Sequence, residues 1–173
     1  MGLTITAYCG LEQILSPRLD SSADPVDTFA VRFYDAPRFP GHSEGINTAR
    51  IYRYANSYEF AAGSYGMYRI WREQLARLAG YPAVAEPGPR SVSGRTSHEC
   101  GAIATGAGPF YELIHFPATH GTIGPKVSGK LAEDFSRFMC AVDVADDRTF
   151  ALLYVQWFHA FTLASHSGAV QFH

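Results

Sequence analysis

An α+β fold, with helices packed on an antiparallel or mixed sheet, is what this sequence predicts, and three observations carry the prediction. Period-two apolar alternation is confined to the N-terminal part of the chain and its last residues. Helical periodicity takes over from Tyr65 onward. The two patterns come in blocks, whereas a βαβ chain would interleave them.

Taken in order, Leu3, Ile5 and Ala7 alternate with Thr4, Thr6 and Tyr8, which makes a half-buried strand. Residues 16–27, rich in Pro, Ser and Asp, read as a loop. Phe29, Val31 and Phe33 share one face of a second strand, closed off by Pro37, Pro40 and Gly41. Over 50–54, Ile51 and Arg53 alternate with Tyr52 and Tyr54; the run 58–60 either pairs with that strand as a hairpin around Asn56-Ser57 or is loop. The spacing of Tyr68, Trp71, Leu75, Leu78 and Ala79 predicts a helix over 65–79, with Ser64 as N-cap and Gly80 as the left-handed residue after its end. Pro, Gly and Ser crowd 81–108, which therefore reads as a mobile loop, a lid or a disordered stretch. The apolar run 110–116 fits a strand or a helical turn equally.

Pro125 suits the first position of a second long helix, whose Val127, Leu131, Phe135, Phe138 and Val142 share a face. A third starts after Asp146 or Asp147. Its Phe150, Leu153, Tyr154, Trp157, Phe158 and Phe161, joined by Leu152 and Val155, are apolar on nearly every side, the mark of a buried central helix. Gly168 ends it, and 169–173 alternate as a closing strand. The expectation is one domain over 1–173: N-terminal strands plus a C-terminal strand in the sheet, three main helices upon it.

The totals agree. Apolar residues are 47% of the chain against 17% charged, a globular balance. Aromatics are 14%, so the core should be packed with rings. A net charge of −2 argues against nucleic acid as partner, since phosphate-binding domains are usually basic. Cys9, Cys100 and Cys140 are widely spaced, with neither a disulfide framework nor a zinc ribbon. No signal-like start or membrane-length apolar run is visible, which predicts a cytoplasmic protein.

Three blocks carry a resemblance. Phe60-Ala61-Ala62-Gly63-Ser64-Tyr65 with Trp71-Arg72 and Leu75-Ala76 forms the first. The second is Pro109-Phe110-Tyr111-Glu112-Leu113-Ile114, Gly121-Thr122-Ile123-Gly124-Pro125 and Lys130-Leu131-Ala132-Glu133-Asp134-Phe135; the third is Gly168-Ala169-Val170-Gln171-Phe172-His173. Together they resemble an uncharacterised family of small bacterial and prophage-associated proteins. The resemblance implies a bacterial accessory or anti-defence protein and no particular chemistry. Members carry acidic residues just before the first Gly of the turn, where this chain has Ala118-Thr119-His120, so no carboxylate site is implied there.

Candidate chemistry is sparse. The unpaired amides after Gly124, with Lys126 and Lys130 nearby, could receive an anion, although Pro125 also fits an ordinary helix start. Glu112, His115 and His120 are potential metal ligands at irregular spacing, without H-E-x-x-H; surface histidines explain them more simply, and no residue is assigned to a metal. Glu112 and His120 are the candidate acid–base residues; Tyr65, Arg72, Gly124, Lys126 and His173 are the candidate ligand-binding residues. A structural Arg72–Glu112 ion pair accounts for two of these without any chemistry. No nucleophile elbow exists, and Cys100 falls in the stretch read as mobile.

Three functions follow. The first is an interaction protein binding an unknown protein partner. The second is a small-molecule or anion-binding enzyme with its pocket at the helix start after Gly124, and the third a metal-dependent hydrolase, which needs His115 and His120 aimed at one spot. No cofactor is indicated, and homo-oligomerisation stays open. Convergence of Tyr65, Arg72, Glu112, His120 and His173 on one pocket would favour the second function. Their dispersal, with an exposed apolar surface, would favour the first.

Overall fold

The computed structural model describes residues 2–86, 95–116, 120–143 and 147–173. In chain order its elements are β1 (Gly2–Cys9), β2 (Glu12–Gln13), β3 (Ala30–Arg32), β4 (Ile51–Arg53), β5 (Asn56–Ser64), α1 (Tyr65–Leu78), β6 (Val84–Ala85) and β7 (Thr96–Ser97). Then follow α2 (His98–Thr105), α3 (Tyr111–His115), β8 (Gly121–Ile123), α4 (Pro125–Asp143), α5 (Arg148–Ala164) and β9 (Ala169–Phe172). The fold is α+β, as expected.

The main sheet has the order β5-β1-β9-β8, with every neighbour antiparallel. Alternation along β1 sends Leu3, Ile5 and Ala7 into the core shared with the helices and leaves the odd-one-out set, Thr4, Thr6 and Tyr8, on the other face. There a smaller sheet, β2-β4-β3, covers one end, sealed by Tyr8, Val31, Phe33, Tyr52 and Ala169. Gly168 leads into β9 where its backbone meets β1: a Cβ there would overlap the Tyr8 carbonyl oxygen.

The helical face is a layer of rings. Tyr68, Trp71, Trp157 and Phe161 stack near-parallel in succession, and Trp157 and Phe161 are fully buried. Each aromatic buries roughly 150–250 Å², so this layer dominates the apolar burial. The long helices start as their sequences require. The Ser64 hydroxyl accepts from Met67 N at 3.2 Å, the Asp147 carboxylate accepts from Phe150 N at 3.0 Å, and Gly80 has φ +80°.

Several expectations need correction. The stretch 81–108 is not one loop: β6 and β7 pair, and α2 follows, while 87–94 lie outside the described residues. Residues 58–60 do not form a hairpin with 50–54; they belong to β5, paired to β1, because its nine residues match the longer partner. Within 110–116, Tyr111–His115 form the helical turn α3, flanked by Phe110 at positive φ and an extended Phe116. Helix α5 is not buried all round, since Leu152 and Val155 are 59% and 52% exposed, and Phe29 at 61% does not share the burial of Val31 and Phe33. No described helix is long and apolar enough to cross a membrane.

Candidate functional site

Strand register builds a polar row across the open end of the main sheet. Glu59 of β5 pairs with Thr6 of β1, Thr6 with Gln171 of β9, and Gln171 with Thr122 of β8. Thr6, Gln171 and Thr122 are 6%, 2% and 0% exposed, so this polarity is inside the molecule and must be satisfied by partners. Thr122 Oγ1 donates to Tyr34 O at 2.8 Å, and Gln171 Nε2 donates to Arg32 O at 3.3 Å. Gln171 Oε1 has no hydrogen-bond partner among the described residues.

One row further, His173 exchanges backbone hydrogen bonds with Thr4, which aims its imidazole back at Thr6. His173 Nε2 lies 3.0 Å from Thr6 Oγ1, and that hydroxyl donates to Glu59 Oε2 at 3.3 Å. A hydroxyl has one proton. With it on Glu59, Thr6 accepts from His173 Nε2–H, and Nδ1 of the ring keeps its lone pair. Tyr34 stands edge-on to both His173 and His120, with centroids 5.7 and 5.1 Å away. Burial lowers the His173 pKa below the usual imidazole value and nearby His120 lowers it further, while Glu59 opposes both. Tyr8, in the next row, is pushed up to about 12 by burial and by Tyr54. Chemically this is a carboxylate–hydroxyl–imidazole chain beside a tyrosine and a second imidazole: an acid–base arrangement open to solvent through the exposed Glu59 and His120.

A second polar cluster ties the helices together. Burial alone would raise the Glu73 pKa, but donation from Ser97 Oγ and the amides of Glu99 and His98 holds it low, so that Glu73 serves as the anion at the α2 N-terminus. Arg72 pairs with Glu99 at 2.9 Å and donates to Ile114 O and Phe116 O at 2.8 and 2.9 Å. Burial raises the Glu99 pKa despite this pairing. Outside the pair, a cleft of about 440 Å³ opens between α1 and α2, with Arg69, Ile70, Arg95 and Cys100 in its walls. Cys100 thus sits on an ordered helix, not in a loop.

Of the residues singled out from sequence, His120 and His173 come together and the rest do not join them. Glu112 pairs with Lys130, beside Asp134, and not with Arg72, because α2 places Glu99 against the guanidinium first. Tyr65 opens α1 at the surface. The close approach that Gly124 allows is taken by the chain itself: Gly124 N donates to His42 O at 2.7 Å, a Cβ would lie 2.5 Å from Glu44 O, and Lys126 pairs with Glu44. The room that Gly124 leaves is therefore filled by the 42–44 segment. His115 faces Tyr111 and Phe39 while His120 faces Tyr34, so they do not share a spot. Among the described residues no three His, Cys, Asp or Glu side chains are grouped to hold a metal ion. Ala118 and Thr119 lie outside the described residues.

Sequence reasoning missed Thr6, Glu59 and Tyr34. The available signal was the Thr4-Thr6-Tyr8 parity of the first strand, which marks a polar face without naming what meets it. No family model, curated protein or solved structure matches this chain.

Proposed function

We propose that the protein binds a small polar ligand at the open rim of the main sheet and that His173 accepts a proton from it. The observation that carries this reading is the chain His173–Thr6–Glu59, assembled from β1, β5 and the residue after β9, three segments far apart in sequence. The neutral imidazole has a carboxylate behind it to stabilise the charge that it would gain, and Tyr34 and His120 offer further hydrogen-bonding groups at the same rim. Three unpaired cysteines suit a reducing interior such as the cytoplasm.

The test is a fragment screen read by NMR. Binders should shift the ring resonances of His173, His120 and Tyr34, and His173→Gln should abolish those hits. Hits that move only signals of α1 and α2, or hits untouched by His173→Gln, would sink the reading.

A second reading has its own support. Ile70 and Met67 of α1 are 61% and 48% exposed, and Ile70 lies between the 440 Å³ cleft and an apolar slot of about 200 Å³ that reaches Trp71 and Phe150. Such a surface suits a protein partner, in line with the accessory role implied by the prophage-family resemblance. Selection from a displayed peptide library should then yield binders lost on Ile70→Asp and retained on Leu15→Asp; binders indifferent to both exclude it.

A further inference from the structure

The sheet ends on one side at β5, a nine-residue strand whose outer edge meets no other strand among the described residues. Such an edge presents a row of unpaired N–H and C=O groups, and proteins that stay monomeric usually blunt it with lysine, proline or cover. β5 has neither residue: it reads Asn-Ser-Tyr-Glu-Phe-Ala-Ala-Gly-Ser, with one charge, Glu59, and its one irregularity, a register shift past Ala61, leaves 56–61 as a regular six-residue edge. Beside it runs a second anomaly. Leu152 and Val155 are exposed on a helix whose composition asks for burial on every side. They lie on one stripe of α5 with His159, at i, i+3 and i+7, and His159 packs against Tyr58 of β5 with centroids 4.4 Å apart. The apolar stripe and the bare edge are therefore one continuous surface.

We propose that this surface pairs with a second copy of the chain. Antiparallel strands joined edge to edge are related by a two-fold axis perpendicular to the sheet, and that operation keeps each face on its own side. Pairing β5 with its mate thus continues the sheet through both molecules and brings the two α5 helices side by side beneath it. The stripe of one then covers the stripe of the other. A second copy answers both anomalies with one contact: backbone groups find donors and acceptors, and Leu152 and Val155 leave water. Charge does not oppose the helix contact, since α5 has Arg148 as its one Asp, Glu, Lys or Arg, at its start, while the Glu59 side chains of both copies lie on the solvent-exposed opposite face. An unrelated extended peptide could fill the edge but would leave the α5 stripe bare. The inference stands apart from the His173 reading and survives its failure.

Sedimentation velocity, together with hydrogen exchange at two protein concentrations, tests it. The wild-type chain should sediment as a dimer, and exchange over 56–64 should slow as concentration rises. Leu152→Glu with Val155→Glu should give a monomer with unchanged circular dichroism and with β5 exchange no longer dependent on concentration. Should that double variant unfold, Val155→Lys alone serves and must shift the dimer toward monomer. A wild-type monomer at about 0.1 mM, a level at which even weak specific pairs associate, overturns the proposal. So does a dimer that persists in the charged variants, or one that leaves β5 exchange unprotected.

Discussion

Ile5 and Thr6 are neighbours on β1, yet they enter two different kinds of environment. Ile5 sinks into the stacked rings of α1, α4 and α5, where shape and area decide the energy. Thr6 joins a hydrogen-bonded row, where the placement of single protons decides it. The helical face thus carries most of the apolar burial, and both faces hold polar atoms orphaned among the described residues, Trp71 Nε1 and Trp157 Nε1 in the ring layer and Gln171 Oε1 in the polar row. The difference teaches that residues one position apart on a strand can answer to two energetic rules, apolar area on one face and hydrogen-bond placement on the other.

Mutations can break that contrast. Trp157→Ala, which removes the centre of the ring layer, should cost about 3–5 kcal/mol in urea denaturation; a cost below that of Thr6→Val would overturn the division of labour. Arg72→Met should cost about 3 kcal/mol, since it strands the buried Glu99 carboxylate, and Glu99→Gln should cost less because a hydrogen bond can remain. Thr6→Val, nearly isosteric, should cost about 1 kcal/mol while removing the hydroxyl between His173 and Glu59, visible as a His173 titration that responds less to Glu59→Gln because only the direct charge interaction remains.

The pH dependence sharpens the comparison, because each face has one depressed histidine. His42, stacked on Phe116 and bonded to Glu112 O, is lowered mainly by burial, as His173 is. For both, the unfolded chain binds a proton more readily than the folded one, so stability is complete above the ordinary imidazole value of 6.5 and is lost as pH falls below it. The melting temperature should therefore drop between about pH 7 and about pH 5, and His42→Phe should remove part of that drop. The smallest effect is Glu59→Gln in the wild-type background. Glu59 supports the charged imidazole, so its removal should move the His173 titration to lower pH with almost no change in stability.

Legibility in the sequence followed the range of the interactions. The helices at 65 and 125 and the one capped by Asp147 were readable because caps and 3.6-residue spacing are local. The partner of β5 was not, since alternation tells which face a residue takes and says nothing of the neighbouring strand. Helix α2 was hidden by Gly-rich composition, and its cap comes partly from Glu73 on another helix. His120 and His173 were recognised as candidates, but their company of Thr6, Glu59 and Tyr34 depends on register and on a smaller sheet that short, irregular strands barely signal. Cys100 and Glu112 show the converse, where a residue type suggestive of chemistry turned out to be held by, or placed beside, structural contacts.

The carboxylate of Glu73 has one more implication. Ser97 caps α2 locally by accepting from Cys100 N, but the amides of His98 and Glu99 are satisfied by a side chain rooted in α1, so the start of α2 is only half its own. The two should loosen together: amide exchange over 98–105 should never outlast that over 65–78.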